Sequence, residues 1–124
     1  MDPGTTVPAA GGSEFLRSLY RDFNARHIDT VLAALHEDVL WANGMEGGHV
    51  QGREAVRSYW TRQWAMIDPH IDPIGFAQMP DGAIRVEVHQ TIRDLQGNVL
   101  MDGTVGHQFR IEHGQVRRFD IVDA

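Results

Sequence analysis

The sequence predicts an α+β fold in which three N-terminal helices cover one face of a mostly antiparallel sheet. Two observations support this prediction. The first half of the chain carries apolar residues at helical spacing, whereas the part after residue 70 consists of alternating apolar and polar runs separated by turns. Helices followed by strands pack as two layers, so we expect a pocket for a small molecule between them.

The N-terminal residues 1–12 are rich in Gly, Pro, Thr and Ala and show no apolar periodicity. This composition indicates a flexible tail. Ser13 is the expected N-cap of the first helix. We therefore predict a single domain over residues 13–124.

Each of the three predicted helices has one apolar face. The first carries its apolar residues between Phe15 and Phe23, and the second is a short helix over residues 28–35. The third helix has a stripe formed by Ala55, Val56, Tyr59, Trp60, Gln63, Trp64 and Ile67. Trp60 is expected in the core or at the pocket wall, and Gln63 within that stripe indicates a polar group facing a cavity.

Strands are predicted from short runs bounded by turns. The first is Val39–Trp41, which ends at Asn43-Gly44 and is followed by a loop over 45–52. Four later runs near 71–78, 83–93, 99–111 and 115–122 complete the sheet. His107 shares its face of the third later run with Phe109, so both are expected to lie in the interior.

Composition narrows the function classes. The chain of 124 residues has a net charge of −6, which argues against binding to nucleic acid. It has no cysteine, and all 11 basic residues are arginine, so neither a thiolate nor a lysine is present for covalent catalysis. No stretch resembles a membrane span or a signal peptide, which favours a cytoplasmic protein.

No metal or cofactor is predicted. The segment Asp68-Pro69-His70-Ile71-Asp72 could present metal ligands, but Pro69 indicates a connection and no paired-histidine spacing is present. Any chemistry would rest on carboxylates, histidine or tyrosine acting as acids and bases.

Four motifs resemble the SnoaL-like branch of the nuclear transport factor 2 (NTF2) superfamily, to which ketosteroid isomerases and limonene epoxide hydrolases also belong. The motifs are Phe23-Asn-Ala-Arg-His-Ile28, Glu37-Asp-Val-Leu-Trp41, Gly52-Arg-Glu-Ala-Val56 followed by Tyr59-Trp60, and the stretch from Gly114 to Asp123. The resemblance covers residues 14–123. It implies a curved sheet around a conical pocket, a small apolar organic ligand and a homodimer.

The resemblance to ketosteroid isomerases implies two polar substrate-binding residues but no catalytic base. The position of the isomerase base is matched by Asn43, whose neutral amide cannot abstract a proton. The two oxyanion-binding positions fall near Tyr20 and His107. The resemblance therefore implies substrate-binding roles for Tyr20 and His107 and disfavours isomerase chemistry.

The resemblance to limonene epoxide hydrolases implies a catalytic set. Arg85-Val86-Glu87 is similar to their Arg-x-Asp strand motif, and Asp120 matches their last-strand aspartate. Trp41-Ala42-Asn43 is similar to their Tyr-x-Asn motif, with Trp in place of Tyr. Carried over, Asp120 and Asn43 would activate a water molecule. Glu87 would protonate the epoxide oxygen, and Arg85 would bridge the carboxylates.

Each residue of this set has an alternative interpretation. Arg85 and Glu87 alternate with aliphatic residues and could form the solvated face of a strand. Asp120 could pair with a neighbouring arginine at the surface, and Asn43 could end its strand. Two functions thus remain open, an acid–base enzyme and a non-catalytic ligand-binding or dimerisation module. The predicted substrate-binding residues are His107, Trp41, Tyr20, Trp60, Gln63 and Phe109.

Overall fold

This computed structural model describes residues 9–123. In this part of the chain, three helices pack on one face of a six-stranded sheet. The elements in chain order are α1 (Ala9–Asn24), α2 (Ile28–Ala33), β1 (Leu35–Ala42), β2 (His49–Gln51), α3 (Arg53–Trp64), β3 (Ile67–Gln78), β4 (Ile84–Asp94), β5 (Val99–Glu112) and β6 (Gln115–Val122). The predicted α+β class is confirmed. No helix in this part of the chain has the length and apolar content needed to cross a membrane.

The sheet has the strand order β2-β1-β6-β5-β4-β3. Neighbouring strands are antiparallel except β1 and β6, which are parallel. Tight turns join β3 to β4, β4 to β5 and β5 to β6, so these four strands form a meander. The sheet is curved and does not close into a barrel.

The core lies between the helices and the inner face of the sheet. In α1, Leu16, Leu19 and Phe23 recur at helical spacing and are all buried. In β4, every second residue from Ile84 to Val88 is buried against the helices. Burying an aliphatic or aromatic side chain contributes about 1.5–3 kcal/mol, so this pattern fixes which face of each strand points inward.

Gly106 in β5 is required for the close pairing of β5 with the end of β6. A Cβ on Gly106 would lie 2.7 Å from the carbonyl oxygen of Asp123 and 2.8 Å from Cγ2 of Val122. A side chain at this position would therefore push β5 away from the end of β6. Gly106 allows the close pairing that sets the position of the next residue, His107.

Several boundaries differ from the predictions. Residues 1–8 of the predicted tail lie outside the described residues, and α1 begins at Ala9, so Ser13 lies inside the helix and is not its N-cap. The second helix ends at Ala33, because Leu35 already belongs to β1. The predicted loop 45–52 contains the short strand β2, which pairs with the end of β1.

Candidate functional site

A cavity of about 330 Å³ lies between α1, α3 and the inner face of the sheet. All six residues predicted to bind substrate line it. They are Tyr20, Trp41, Trp60, Gln63, His107 and Phe109. Their positions agree with the helical stripes and with the alternation of β5, because residues that face the opposite layer also face the cavity within it.

Tyr20 and His107 form a hydrogen-bonded pair at the cavity wall. The Tyr20 hydroxyl lies 2.7 Å from Nδ1 of His107, and the two rings stack with their centroids 5.8 Å apart. Both residues are buried, with exposures of 3% and 4%. Helix α1 supplies the tyrosine and strand β5 the histidine, so the pair joins the two layers of the fold.

Burial keeps both members of this pair neutral. It lowers the pKa of His107 to about 3, because a charged ring would lose its hydration. It also raises the pKa of Tyr20 well above the usual tyrosine value. At neutral pH the pair consists of a neutral imidazole and an intact hydroxyl. His107 is therefore a weak base and a good neutral hydrogen-bonding group.

The pair keeps one donor and one acceptor for a third partner. If the Tyr20 hydroxyl donates to Nδ1, then Nε2 of His107 carries a hydrogen and donates, and the tyrosine oxygen can still accept. If Nδ1 donates instead, the hydroxyl can donate and Nε2 can accept. Among residues 9–123, no other hydrogen bond is made by either side chain. A ligand oxygen in the cavity can use these free valences.

A second polar group lies on α3. The Tyr59 hydroxyl accepts hydrogen bonds from the backbone N–H of Gly44 at 3.0 Å and from Nε2 of Gln63 at 3.4 Å. Burial raises the pKa of Tyr59, although the hydrogen bond from Gly44 acts in the opposite direction. Tyr59 lines the cavity and was not predicted as a site residue. Its place in the same helical stripe as Gln63 could have identified it.

The rest of the wall is mainly apolar. The Trp41 and Phe119 rings stack with centroids 4.1 Å apart, and Phe119 contacts the His107 ring edge to face at 4.7 Å. Met45 and Met101 also line the cavity and are 38% and 47% exposed, so they lie at its opening. None of the described lining residues carries a charge at neutral pH.

Arg85 and Glu87 do not enter this cavity. Both side chains are exposed, because they alternate along β4 with the buried residues of its inner face. Arg85 lies on the outer face, where its Nη2 is 3.4 Å from Oε1 of Gln108. The motif similar to the epoxide hydrolases is therefore present in sequence but faces away from the pocket.

Asp120 also lies on the outer face of the sheet. Its neighbour Phe119 lines the cavity, so the alternation of β6 turns Asp120 away from it. Its carboxylate accepts hydrogen bonds from Arg118 at 2.8 Å and pairs with His49 at 2.8 Å. Partial burial raises its pKa, but the hydrogen bonds from Arg118 and His49 outweigh this and leave the pKa below its usual value.

Asn43 is buried and organises a turn. Its Oδ1 accepts hydrogen bonds from the backbone N–H groups of Met45 and Glu46 at 3.0 and 2.8 Å, and its Nδ2 donates to the Glu46 carboxylate at 3.0 Å. These bonds occupy the amide within the turn. The predicted convergence of Arg85, Glu87, Asp120 and Asn43 on one pocket is therefore not found.

The fold is shared with solved structures. TerC, co-crystallised with polyporic acid, is 20% identical with a TM-score of 0.77, over 90% of this chain and 89% of TerC. An NTF2-like protein of unknown function from Burkholderia pseudomallei is 24% identical with a TM-score of 0.78, over 90% and 89%. RV0760c from Mycobacterium tuberculosis, in complex with estradiol-17β-hemisuccinate, is 15% identical with a TM-score of 0.74, over 86% and 88%.

At these identities the likeness establishes an NTF2-like fold. No curated protein matches the chain. A sequence model of the SnoaL-like domain matches residues 16–119, which include both layers of the fold and nearly the whole pocket wall. The chain belongs to the family of SnoaL-like domains.

Proposed function

We propose that this protein binds a small, neutral and largely apolar organic molecule, one oxygen of which hydrogen-bonds to Tyr20 and His107. The observation that carries the proposal is the neutral Tyr20–His107 pair, which retains a free donor and a free acceptor at the wall of an apolar cavity. Each residue already has one partner in the other, and an oxygen of a molecule in the cavity can use the remaining donor and acceptor.

The size and chemistry of the cavity support this proposal. A volume of about 330 Å³ lies within the range of small-molecule pockets. Its wall offers aromatic and aliphatic surface, and no described lining residue could compensate a buried charge. Burying an unpaired charge costs many kcal/mol, so the enclosed part of the ligand is expected to be neutral. A charged substituent would remain at the opening near Met45 and Met101.

The ligands named for two structural neighbours are consistent with this class. Polyporic acid was co-crystallised with TerC, and estradiol-17β-hemisuccinate is bound to RV0760c. Both are organic molecules. They give reasonable first probes for this chain, together with neutral estradiol, which lacks the succinate group.

An acid–base enzyme is the second candidate. The observation in its favour is the same Tyr20–His107 hydrogen bond, because a neutral donor in a dry site can stabilise negative charge on a substrate oxygen. A base is the missing part. His107 holds too low a pKa to abstract protons efficiently at neutral pH, and Glu87 and Asp120 face away from the cavity. These observations favour binding over turnover.

We also propose that the protein is a cytoplasmic homodimer that pairs through the outer face of the sheet. All three described helices pack on the inner face, which leaves the outer face available to a second copy. Arg85, Glu87 and Asp120 would then lie at or near the interface between the copies.

Calorimetric titration with estradiol tests the binding proposal. We expect Tyr20→Phe and His107→Leu each to weaken binding roughly five- to tenfold, because each removes a hydrogen bond to the ligand oxygen. Val105→Trp should prevent binding, because the larger side chain fills the cavity that Val105 lines. Glu87→Gln on the outer face is the control and should bind normally. Undiminished binding to the Val105→Trp variant would show that the cavity is not the binding site.

A further inference from the structure

We propose that Tyr59 and Gln63 form a second hydrogen-bonding point in the cavity, so that the ligand carries two oxygen groups and is held at both. This inference rests on the proposed function and makes its ligand class more specific. Tyr20 and His107 hold the first oxygen, and the α3 pair holds the second. A molecule with a single polar group would leave one pair unsatisfied.

The hydrogen bonds of Tyr59 leave its hydroxyl proton free. The oxygen accepts from Gly44 N–H and from Nε2 of Gln63, and these two bonds occupy its acceptor positions. Within residues 9–123, neither the Tyr59 proton nor Oε1 of Gln63 has a further hydrogen-bond partner. The α3 pair therefore offers one donor and one acceptor to the cavity that both residues line.

A purely structural role explains only part of this arrangement. Anchoring Gly44 requires the Tyr59 oxygen as an acceptor, and that requirement is met without Gln63. Asn43, in the same loop, shows what a structural amide looks like here, because its oxygen and its nitrogen both have protein partners. Gln63 is half-buried, and its Oε1 has no partner among the described residues, so this oxygen is available to a ligand at the cavity wall.

The two pairs lie on either side of one rim residue. His107 is the cross-strand partner of Ile121, so their side chains are neighbours on the inner face. The Ile121 side chain in turn lies beside Gly44, where a Cβ would be 3.2 Å from its Cδ1 and 3.7 Å from the Tyr59 hydroxyl oxygen. The pairs are therefore separated by about one side chain and open into the same cavity.

This spacing favours a ligand with one polar group at each end of a short apolar body. A hydroxyl group both donates and accepts, so it satisfies each pair completely. The apolar body would lie against Trp41, Phe119 and Val105 between the two ends. Flat aromatic diols have this arrangement.

A series of three flat probes tests the inference: naphthalene, 2-naphthol and 2,6-dihydroxynaphthalene. Their apolar bodies are identical, so any difference in affinity reports the hydroxyl groups. Binding can be followed by the NMR signals of the indole N–H groups of Trp41 and Trp60, which line the cavity. For the unmodified protein we expect affinity to rise roughly five- to tenfold with each hydroxyl group.

Two variants assign the second hydroxyl group. Gln63→Leu removes the acceptor of the α3 pair and leaves the Tyr59 proton. It should therefore remove part of the gain in affinity from the second hydroxyl group of 2,6-dihydroxynaphthalene and leave the affinity for 2-naphthol unchanged. Tyr20→Phe should weaken both hydroxylated probes. Gln108→Leu makes the same chemical change on the outer face and should alter neither affinity. Gln63→Leu retains the bond between Tyr59 and Gly44, so it separates ligand recognition from anchoring of the loop.

The possible negative results distinguish an error in the second hydrogen-bonding point from an error in the proposed function. If the one-hydroxyl and two-hydroxyl probes bind equally, or if Gln63→Leu weakens both to the same extent, the second point is wrong while the binding function stands. If none of the three probes binds, naphthalene included, the cavity is not a site for this class of ligand. The proposed function then fails, and the inference fails with it.

Discussion

His107 illustrates how packing decides the chemistry of a single residue. The same imidazole on the surface would titrate near neutral pH and could act as a base. Here the rings of Tyr20, Phe109 and Phe119 surround it, and the pKa falls to about 3. The position of His107 on the inner face of β5 was predictable from the alternation of apolar and polar residues in this strand. The size of the pKa shift was not, because it depends on neighbours from α1 and β6.

The depressed pKa of His107 predicts a specific loss of stability in acid. Below pH 6.5 the unfolded chain protonates this histidine, whereas the folded chain does not until about pH 3. The free energy of unfolding therefore falls as pH drops through this window, by about 2 kcal/mol at pH 5 from this group alone. Urea denaturation at pH 7 and pH 5 measures the effect.

A comparison of variants isolates the contribution of His107. His107→Gln removes the titrating group and retains a side chain that can hydrogen-bond to Tyr20, so its stability should depend less on pH between 7 and 5. His70→Gln, at an exposed position, is the control and should keep the full dependence. Equal losses in the unmodified protein and the His107→Gln variant would contradict the buried neutral histidine.

At the level of elements, the turn after β1 forms part of the pocket opening. Asn43 N–H donates to the Gly48 carbonyl at 2.9 Å, and its side chain holds the N–H groups of Met45 and Glu46. Because Gly44 and Met45 line the cavity, the turn places part of the pocket opening. The interpretation of Asn43 as the end of a strand is consistent with these contacts.

Asn43→Ala should therefore destabilise the protein without a specific catalytic effect. The change removes two hydrogen bonds from a part-buried turn, each of which contributes about 0.5–1.5 kcal/mol. Asn43→Asp restores the acceptor oxygen and should recover part of that loss, despite repulsion from Glu46. Urea denaturation gives the stabilities. A fully stable Asn43→Ala variant that had lost activity would instead support a catalytic amide.

The sequence supported two opposite orientations of β4. Alternation placed Ile84, Val86 and Val88 on one face, while the resemblance to the epoxide hydrolases required Arg85 and Glu87 to face the pocket. Energetics favour the first arrangement, because each buried aliphatic contributes about 1.5–3 kcal/mol and a buried ion pair must repay its desolvation. The structure follows alternation.

Other elements depended on contacts that no local pattern reveals. The strand β2 has only three residues between glycines, and it forms because Leu40 and Trp41 of β1 offer it a pairing edge. Helix α1 extends back to Ala9 through residues whose composition predicts a tail. The helix order and the alternation of the strands were predictable from periodicity, whereas the face of β4 that points inward and the ends of the elements were set by neighbours in space.

On the scale of the whole molecule, the sheet separates two chemical environments. Its inner face and the helices enclose an apolar cavity with two neutral polar pairs. Its outer face carries charged and polar side chains, including the ion pair of Arg118 with Asp120 and the contact of His49 with Asp120. Successive side chains of a strand point to opposite faces of the sheet, so adjacent residues of one strand belong to different environments. Phe119 and Asp120 are the clearest case.

This separation predicts that outer-face charges can be removed without affecting the ligand. In a triple variant carrying Arg85→Gln, Glu87→Gln and Asp120→Asn, we expect estradiol affinity within about twofold of the unmodified protein, because the changes lie across the sheet from the cavity. Stability should fall by about 1 kcal/mol or less for each contact that Asp120 loses with Arg118 and His49, since partly exposed pairs contribute little. Calorimetric titration and urea denaturation measure the two effects.

One substitution of this variant, Asp120→Asn, separates the two candidate functions. If Asp120 activated a water molecule for epoxide opening, Asp120→Asn alone would abolish turnover of an epoxide substrate at unchanged stability. The structure leads us to expect no such loss, because the Asp120 carboxylate is held by Arg118 and His49 on the far side of the sheet. A Tyr20→Phe variant assayed in parallel should weaken binding while retaining those outer pairs. Loss of activity in Asp120→Asn together with normal binding in Tyr20→Phe would move the functional site to the outer face.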